Sequence, residues 1–543
     1  MPRVLLAALA AVAAWSIAPS ALAAEAQVGA SGRPFKGINR DGTVSGFADA
    51  HLHITADLRA GGQVISGEAF DPRGIQAALG NDAAVHGADG SLDVTGNLLR
   101  SGVPFGTHDI HGWPTFTGWP TYSTQTHQQV YYVWLQRAYM AGLRLVVAQT
   151  VEDEALCRIV PRRSHSCDET RSIELQIARL RGLQAYVDAK SGGRGRGWLR
   201  LVYSPGQARR VIEQGKLAMI VGIESSDPLG CSERLGRPQC TRAQIVRRLD
   251  HLRRLGVRGM FVAHWVDNAF AGAAIEDGAK GAFINVFNRF QTGRWFSTGR
   301  CPSTIQGATM RTLSPLELRV LSAVYPVTKP LAAQGMPTYP SGRRCNTRGL
   351  TSLGRFMIRQ MMARHMLIEA DHLSERAREQ VLTMAEHSHY PVVSSHTGTG
   401  GVWTPTELRR LYRLGGFATA RPDAAAKLGG DIVRLQKASL HAYCGVGLGT
   451  DTGGFSSLPA PAADAARKPL RYPFRSYDGR VTFAREQTGT RTFDLNTDGV
   501  AQYGLFADLL ADMQRRPRGR TAQRVLFRSA EGYLRMWART GTR

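Results

Sequence analysis

The sequence has few acidic residues for its length, with 43 Asp and Glu against 68 Lys and Arg and a net charge of +25. Beyond its N-terminus it lacks any apolar stretch of the roughly 18–20 residues that a membrane-spanning helix needs, so we expect no such helix in the mature chain. It has no internal repeat, and its composition excludes a collagen-like, coiled-coil or wholly disordered chain. With 43% hydrophobic residues among 543, a sizeable core can be buried.

The excess of basic residues has two interpretations. Such a surface favours polyanions, anionic membranes or acidic substrates. Alternatively, it reflects a compositional bias, because the chain uses Arg far more than Lys. The basic residues are scattered, as at Arg162-Arg163 and between Arg515 and Arg520, and aromatic residues do not alternate with them in an RNA-binding pattern. We favour the bias and expect no nucleic-acid partner.

The first residues are typical of a signal peptide. Arg3 supplies a positive charge, Val4 to Ile17 is almost wholly apolar, and Ala21-Leu22-Ala23 follows as a cleavage site. A membrane anchor or a buried helix is the alternative. We therefore predict a signal peptide over residues 1–23 and an exported protein, periplasmic or secreted.

The chain has seven cysteines but no C-x-x-C pair, which argues against a zinc knuckle. In an oxidising compartment, cysteines near each other in the chain can pair. We predict the disulfides Cys157–Cys167, Cys231–Cys240 and Cys301–Cys345, with Cys444 left as a buried free thiol. Several of them could instead be small core residues.

Eight short apolar runs end, in most cases, in a polar residue of catalytic type. They cover residues 46–51, 143–149, 217–224, 257–264, 366–371, 391–396, 415–420 and 444–451. Helical patterns lie between most of them, for example Thr241 to Leu255 and Ser374 to His387. Short strands that alternate with longer amphipathic segments indicate parallel βαβ units. Eight such units predict an α/β fold, a TIM (β/α)₈ barrel with its active site at the carboxyl ends of the strands.

Two stretches are longer than the connections that a minimal barrel needs. Residues 55–130 are rich in Gly, Asp, Trp and His, and residues 268–350 are rich in Gly, Arg and Pro. Long segments without periodicity are usually functional loops or lids. We predict two large insertions over the carboxyl-terminal face of the barrel, and one further helix from Thr497 to Leu510.

The most distinctive local motif is Asp49-Ala-His51-Leu-His53. Positions i and i+2 of a strand point to the same side, so both imidazoles can meet one cation. Neutral imidazole is a good ligand for zinc and related metals. A solvated or core pair is the alternative for an isolated H-x-H.

Five further polar residues stand at or just after the ends of predicted strands: Glu224, His264, His372, His396 and Asp451. Any one of them could be a satisfied structural residue. A carboxylate that ends an apolar run is costly to bury unless it is paired or bound to metal. Because barrel topology brings strand ends together, we expect these groups to converge. The chain has no G-x-S-x-G motif, so nucleophilic serine catalysis has little support.

These motifs resemble the membrane (renal) dipeptidase family, a branch of the amidohydrolase superfamily of metal-dependent hydrolases. The resemblance is carried by Lys216 to Glu224, Leu255 to Asn268, Glu369-Ala-Asp-His372, Pro391-Val-Val-Ser-Ser-His396 and Gly447-Leu-Gly-Thr-Asp451-Thr-Gly-Gly454. It spans roughly residues 45–54 and 216–455 without the insertion at 268–350. It implies one hydrolase domain over residues 24–543 and a short-peptide or other small substrate whose amide bond is cleaved by a metal-bridging hydroxide.

The resemblance also implies residue roles. His51 and His53 would hold the first of two divalent metal ions, with zinc as the expected metal. Glu224 would bridge both ions, and His372 and His396 would hold the second. Asp451 would accept and return the proton of the bridging water, while His264 would polarise the scissile carbonyl.

Three departures from the family pattern broaden the substrate prediction. The family has H-x-D where this chain has His51 and His53. Its Arg-rich stretch after the second-site histidine is replaced here by Thr397 to Trp403, and Arg409 or Arg410 would have to substitute from a different spacing. The insertions are the third departure. An ester or lactone hydrolase with the same site is therefore an alternative, as is a non-catalytic barrel that binds a polyanion. We expect the pocket to be lined by His108, His111 and Trp403, although an aromatic lid that packs on itself would explain the first two equally well.

Overall fold

The fold described here is that of a computed structural model, which describes residues 26–160, 162–301, 307–398, 402–439 and 445–541. The predicted signal peptide and Cys444 lie outside these residues. Within them, no helix is both long and apolar enough to cross a membrane.

Eight parallel strands form the centre of the molecule, in the positions that the apolar runs predict. In chain order they are β1 Phe47–Leu52, β2 Leu143–Glu152, β3 Leu217–Ser225, β4 Val257–Phe261, β5 Leu367–Glu369, β6 Val392–Ser394, β7 Phe417–Ala420 and β8 Val446–Leu448. Each strand pairs with its successor, and β8 pairs with β1 through Leu448 and Asp49. The ring is therefore closed, and the predicted TIM barrel is confirmed. One extra strand, Leu199–Leu201, pairs with the outer part of β3.

Helices connect the strands. Those of the repeating units are Tyr132–Met140, Glu169–Lys190, Pro205–Glu213, Arg242–Leu255, Ser352–Ala363, Glu375–Ser388, Pro405–Arg413 and Ala425–Ala438. Their ends follow ordinary capping rules: Thr241 caps Arg242–Leu255 in a capping box with Gln244, and Gly256 ends it in the left-handed conformation. Strand–helix alternation of this kind places every strand's carboxyl end on the same face.

Alternate residues of β1 face the hydrophobic core and the candidate site. Ala48 and Ala50 pack in a buried cluster with Tyr533 and Trp537 of the C-terminal helix Ser529–Ala538. Side chains alternate sides along a strand, so Asp49 and His51 point the opposite way. The small alanines let the helix approach closely, and Ser529 Oγ accepts the backbone N–H of Ala48 at 2.8 Å.

Residues 55–130 follow the carboxyl end of β1 and contain only short helices, Ile75–Leu79, Ala83–His86 and Val94–Ser101. Residues 268–350 follow β4 and contain the helices Gly278–Thr292, Pro315–Val324 and Lys329–Gln334 with a small sheet of Thr298–Arg300, Ala308–Thr309 and Arg343–Asn346. Both segments thus leave the barrel from strand carboxyl ends.

Further elements lie near the two termini and in the connections that follow β2 and β3. They are the sheet Ala30–Gly32, Phe474–Arg475 and Val481–Phe483, the hairpins Glu233–Arg234 with Arg237–Pro238 and Glu486–Thr488 with Arg491–Phe493, and the helices Glu154–Ile159, Leu495–Asp498, Phe506–Arg515 and Gly519–Leu526.

The single helix predicted from Thr497 to Leu510 is wrong. Leu495–Asp498 ends at Gly499, whose φ of 61° is left-handed, and a new helix begins at Phe506 after a 3-10 turn. Glycine enters this backbone region without a steric cost, so it interrupts the apolar period.

The three predicted disulfides are confirmed. Cys157 bonds Cys167, Cys231 bonds Cys240, and Cys301 bonds Cys345. Three disulfides and the absence of a spanning helix among the described residues are compatible with an exported protein.

Candidate metal centre

The imidazoles of His51 and His53 converge at the end of β1. Their Nε2 atoms lie 2.9 Å apart and face two carboxylate oxygens: Glu224 Oε2, 3.4 and 3.1 Å away, and Asp451 Oδ1, 3.6 and 3.3 Å away. Glu224 is the penultimate residue of β3 and Asp451 follows β8, so three strands supply this first set of ligand-type atoms.

Local pairing and a glycine place Asp451 in this set. Its backbone N–H donates to His51 O and the His53 N–H donates to Thr452 O, both at 3.0 Å. A Cβ on Gly454 would lie 1.8 Å from Asp451 Oδ1 and 3.0 Å from the His53 ring, so only glycine fits there.

A second set lies on the other oxygen of Glu224. His372 Nε2 is 3.3 Å from Glu224 Oε1, and His396 Nε2 is 4.0 Å from it and 2.8 Å from His372 Nε2. These histidines follow β5 and β6. The carboxylate of Glu224 thus stands between two groups of imidazoles, with one oxygen toward each, in the arrangement that a bridging ligand requires.

The hydrogen bonding of His53 indicates a cation in the first set. Its Nδ1 lies 3.0 Å from the carbonyl oxygen of Gln149, which only accepts, so Nδ1 carries a proton. In the neutral ring Nε2 is then a lone pair, yet it faces the oxygens of Glu224 and Asp451. Because all of these atoms are hydrogen-bond acceptors, either a second proton on His53 or a metal ion must lie between them. Glu224 Oε1 is likewise buried without a hydrogen bond, and the two imidazoles and two carboxylates of the first set form a donor set that zinc accepts.

The charges of the centre depend on one another. Burial opposes ionisation of Glu224, but the imidazoles of His264 and His51 hold its pKa well below the usual range. Burial likewise opposes protonation of His53, but the carboxylates of Asp451 and Glu224 outweigh it and raise the pKa of His53 to about 9. Burial, together with the imidazoles of His51 and His372, lowers the pKa of His396 to about 3. The site therefore combines ionised carboxylates with imidazoles that compete for positive charge.

Strained backbone accompanies the ligand-type side chains. His372 and Asp451 have φ angles of 60° and 51°, in the left-handed region that residues other than glycine rarely occupy. Such conformations cost about 1–3 kcal/mol and cluster at functional sites, where surrounding contacts hold them.

His264 lies beside the second set, with its Nε2 3.7 Å from Glu224 Oε1. Its Nδ1 is 2.9 Å from Asp153 Oδ1. Asp153 in turn accepts from Arg59 Nη2 at 2.5 Å and from the hydroxyl of Ser226. All of these groups are buried, so Asp153 fixes the orientation of the His264 ring.

Two further aspartates hold the ligand-type residues in place. Asp49 accepts the His51 N–H at 3.1 Å and the hydroxyls of Thr450 and Tyr503 at 2.7 and 2.8 Å. Asp371 likewise accepts the backbone N–H of His396, at 2.9 Å. Sequence reasoning missed the roles of Asp49, Asp371, Asp153 and Arg59, although Asp49 lies two residues before His51 and Asp371 directly precedes His372.

The predicted pocket residues lie in three different places. Trp403 is buried, and its indole N–H donates to Asp371 Oδ1 at 2.8 Å. His111 is largely exposed and lies 2.8 Å from Asp109. His108 lies against Asp82, in a cluster described below. Contact of these three residues with substrate stays a prediction. Arg410 is paired with Glu386 and Glu379 of the preceding helix, so its guanidinium is already engaged.

Comparison with known proteins gives one family match. Residues 304–405, which include His372 and His396, match the model of the membrane dipeptidases, peptidase family M19. No curated relative matches the chain.

Several solved structures are similar at low identity. An amidohydrolase from Pseudomonas aeruginosa is 13% identical, with 75% of this chain and 91% of that one covered and a TM-score of 0.38. The dipeptidase AC, a metallopeptidase of family M19, is 14% identical, with 74% and 87% covered and a TM-score of 0.39. A Rhodobacter sphaeroides metallopeptidase liganded with a phosphinate mimic of the dipeptide L-Ala-D-Ala is 13% identical, with 60% and 78% covered and a TM-score of 0.35. The barrel is established by its own strand order, independently of these similarities.

The family match covers the chain's second imidazole pair, and the motif resemblance covers the rest of the converging set. The resemblance to the membrane dipeptidases predicted from the sequence is confirmed over residues 304–405, and the converging histidines and carboxylates are groups that could hold metal ions.

Proposed function

We propose that the protein is an exported hydrolase with two metal ions, expected to be zinc, that cleaves the amide bond of dipeptide-like substrates. One observation carries the proposal: the two oxygens of Glu224 face two separate imidazole pairs. A carboxylate placed in this way would hold two cations, and its charge would offset part of their mutual repulsion.

The residue roles follow from this placement. We propose that His51 and His53 hold one ion, that His372 and His396 hold the other, and that Glu224 binds both. When bound, two divalent ions would lower the pKa of a nucleophilic water and would supply positive charge against the developing oxyanion.

Asp451 is the proposed proton carrier. Its Oδ1 lies beside the first imidazole pair, and its Oδ2 accepts from the hydroxyl of Ser456. A carboxylate held within reach of the attacking water can take a proton and return it to the leaving amine. Burial raises the pKa of Asp451, but the surrounding imidazoles lower it by more. The carboxylate is therefore ionised and can accept a proton.

His264 is the proposed electrophile at the scissile carbonyl. Because its Nδ1 donates to Asp153, its Nε2 can donate to the carbonyl oxygen only when both ring nitrogens are protonated. The ionised Asp153 supports that form, although burial lowers the pKa of His264. The negative charge that develops on the oxygen favours the same form in the transition state.

The placement of the chain and of its long segments completes the proposal. We propose that residues 1–23 direct export, that residues 24–543 form one hydrolase domain, and that the segments 55–130 and 268–350 are insertions over the barrel mouth. The two segments begin at the carboxyl ends of β1 and β4, which supports that position.

Metal analysis and activity test the proposal together. We expect the wild-type chain to bind two more equivalents of metal than the double variant His53→Ala/His396→Ala, which loses one ligand from each pair. Chelation should abolish hydrolysis of dipeptides, and zinc or manganese should restore it. A panel of dipeptides, N-acyl amino acids and lactones then identifies the bond class. Full activity in a chain stripped of metal would contradict the proposal.

A further inference from the structure

A second cluster of metal-ligand side chains lies in the segment 55–130. The Oδ2 atom of Asp82 is 3.1 Å from His86 Nδ1, 2.7 Å from His108 Nε2 and 2.6 Å from His127 Nε2. Three of the four residues are fully buried, and the His108 side chain is only 12% exposed. The cluster shares no residue with the centre around Glu224.

The hydrogen bonding of His86 indicates a positive charge at the middle of this cluster. Its Nε2 lies 3.1 Å from the carbonyl oxygen of Val64, which only accepts, so Nε2 carries a proton. The neutral ring then presents a lone pair at Nδ1, opposite a carboxylate oxygen of Asp82. Two acceptors at 3.1 Å repel each other unless a proton or a cation lies between them.

The use of a single oxygen favours a cation over a proton. A hydrogen-bonded cluster would share three imidazoles between both oxygens of Asp82. Here all three meet Oδ2, while Oδ1 is buried without a hydrogen bond, as are His108 Nδ1 and His127 Nδ1. Convergence of three nitrogens and one oxygen on one point is the arrangement of a closed four-ligand site.

Neighbouring residues lie against the outer sides of the imidazoles. Asp93 Oδ1 is 3.7 Å from His86 Nε2 and its Oδ2 is 3.8 Å from His108 Nδ1. Trp119 stacks on the His127 ring, with centroids 4.9 Å apart and planes at 24°. Carboxylates behind histidine ligands orient them and raise their basicity.

We propose that Asp82, His86, His108 and His127 bind one zinc ion as a structural site, separate from the proposed catalytic ions. All four positions of a tetrahedral zinc ion are then filled by protein, which leaves no place for a reacting water. The site's role is to tie together a segment that has only short helices of its own.

Hydrogen bonds link the proposed zinc site to the neighbourhood of the first imidazole pair. Ser66 pairs on either side of His127, with its N–H donating to Thr126 O at 2.9 Å and its carbonyl accepting the Gln128 N–H at 2.7 Å. The Gln128 side chain donates to the carbonyl of Ile54, next to His53. Loss of the structural zinc would therefore weaken the hydrogen bonds that hold the residues directly after His53 in place.

Anomalous diffraction from crystals of the wild-type chain at the zinc edge tests the site directly. We expect a peak about 2.0–2.1 Å from the ligand nitrogens of His86, His108 and His127. Crystals grown with zinc that show peaks near Glu224 but none here would overturn the proposal. Because the two locations are read separately, failure at one does not decide the other.

Metal counting in solution provides the second test. We expect the variant His108→Gln to bind one zinc fewer than wild type and to unfold at a lower temperature, while the double variant His53→Ala/His396→Ala keeps one tightly bound zinc. The matched control His111→Gln, an exposed histidine three residues from His108, should bind as much zinc as wild type. An unchanged zinc content in a folded His108→Gln protein would overturn the proposal.

Discussion

Asp371 accepts the backbone N–H of His396 at 2.9 Å, and its Oδ2 lies 3.4 Å from the Nδ1 of the same residue. Its other oxygen accepts from Ser394 Oγ and Trp403 Nε1, both at 2.8 Å. One buried carboxylate thus holds the main chain of a proposed metal ligand and lies beside its ring.

The Asp371→Asn substitution tests this relationship. We expect the affinity for metal at the second imidazole pair and the hydrolytic rate to fall by about 10–100-fold, because outer carboxylates orient and polarise histidine ligands. Metal titration followed by kinetic assay measures both. Trp403→Phe is the matched control: it removes one donor to Asp371 and keeps the carboxylate, so its loss should be smaller. Equal metal affinity in Asp371→Asn and wild type would show that Asp371 does not support the ligand.

Asp451 is expected to carry a proton, and Asp451→Asn separates that role from metal binding. We expect kcat to fall on the order of 10²–10⁴-fold, the usual contribution of a positioned acid or base. The metal content should stay at the wild-type level, since the amide keeps the size of the side chain and both imidazole pairs remain. Ser456→Ala, which removes only a donor to Asp451, serves as the control. Loss of metal together with activity would identify Asp451 as a ligand instead.

Asp153 is expected to act through His264. In Asp153→Asn the acceptor for the His264 ring is weakened, so the doubly protonated ring is less stable and kcat should drop on the order of 10²–10⁴-fold. KM should change much less, because the metal ligands are untouched. Steady-state kinetics gives both values, and Ser226→Ala, which keeps the Asp153 carboxylate, is the comparison. A change confined to KM would place Asp153 in substrate binding.

Buried carboxylates make the stability of the protein depend on pH. Burial raises the pKa of Glu486 to about 7 from its ordinary value of 4.5, although Thr488 and Gln502 donate hydrogen bonds to it. The folded state therefore holds this proton more tightly than the unfolded state, so stability from this group is lost as pH rises from about 4.5 to 7. The loss is about 3 kcal/mol at most.

Scanning calorimetry between pH 4.5 and 8 measures this effect. We expect the unfolding temperature to decline with rising pH, and to decline less in Glu486→Gln, which cannot ionise. Glu379→Gln is the control, because its carboxylate is half exposed and pairs with Arg410 at the surface. Parallel curves for wild type and Glu486→Gln would contradict the assignment.

The barrel could be predicted from sequence because its strands are buried on both sides. All eight apolar runs are strands, and the polar residues at their ends meet on one face, as parallel topology requires. The predicted ends of strands are less accurate: the apolar run extends to His264, but the strand ends at Phe261. Loop geometry beyond a strand depends on long-range contacts that no local pattern contains.

Groups that support the site were harder to predict than the groups that compose it. Asp153 and Arg59 lie in connections without a periodic pattern, and their pairing is a long-range tertiary contact. The pocket prediction for His108 rests on a segment rich in Trp and His. Its partner Asp82, which also contacts His127, is distant from it in sequence. Such encounters depend on how a long segment folds against itself.

The strands of the ring follow one another in the order of the chain. The candidate ligands come from its first, third, fifth and sixth strands, and the proposed proton carrier Asp451 follows the eighth. A nascent or truncated chain that ends before β8 therefore has His51, Glu224 and His396 but no closed wall to hold them together. Because the ring closes only where β8 pairs with β1, we expect the complete set of side chains to come together only after the last strand has joined the first.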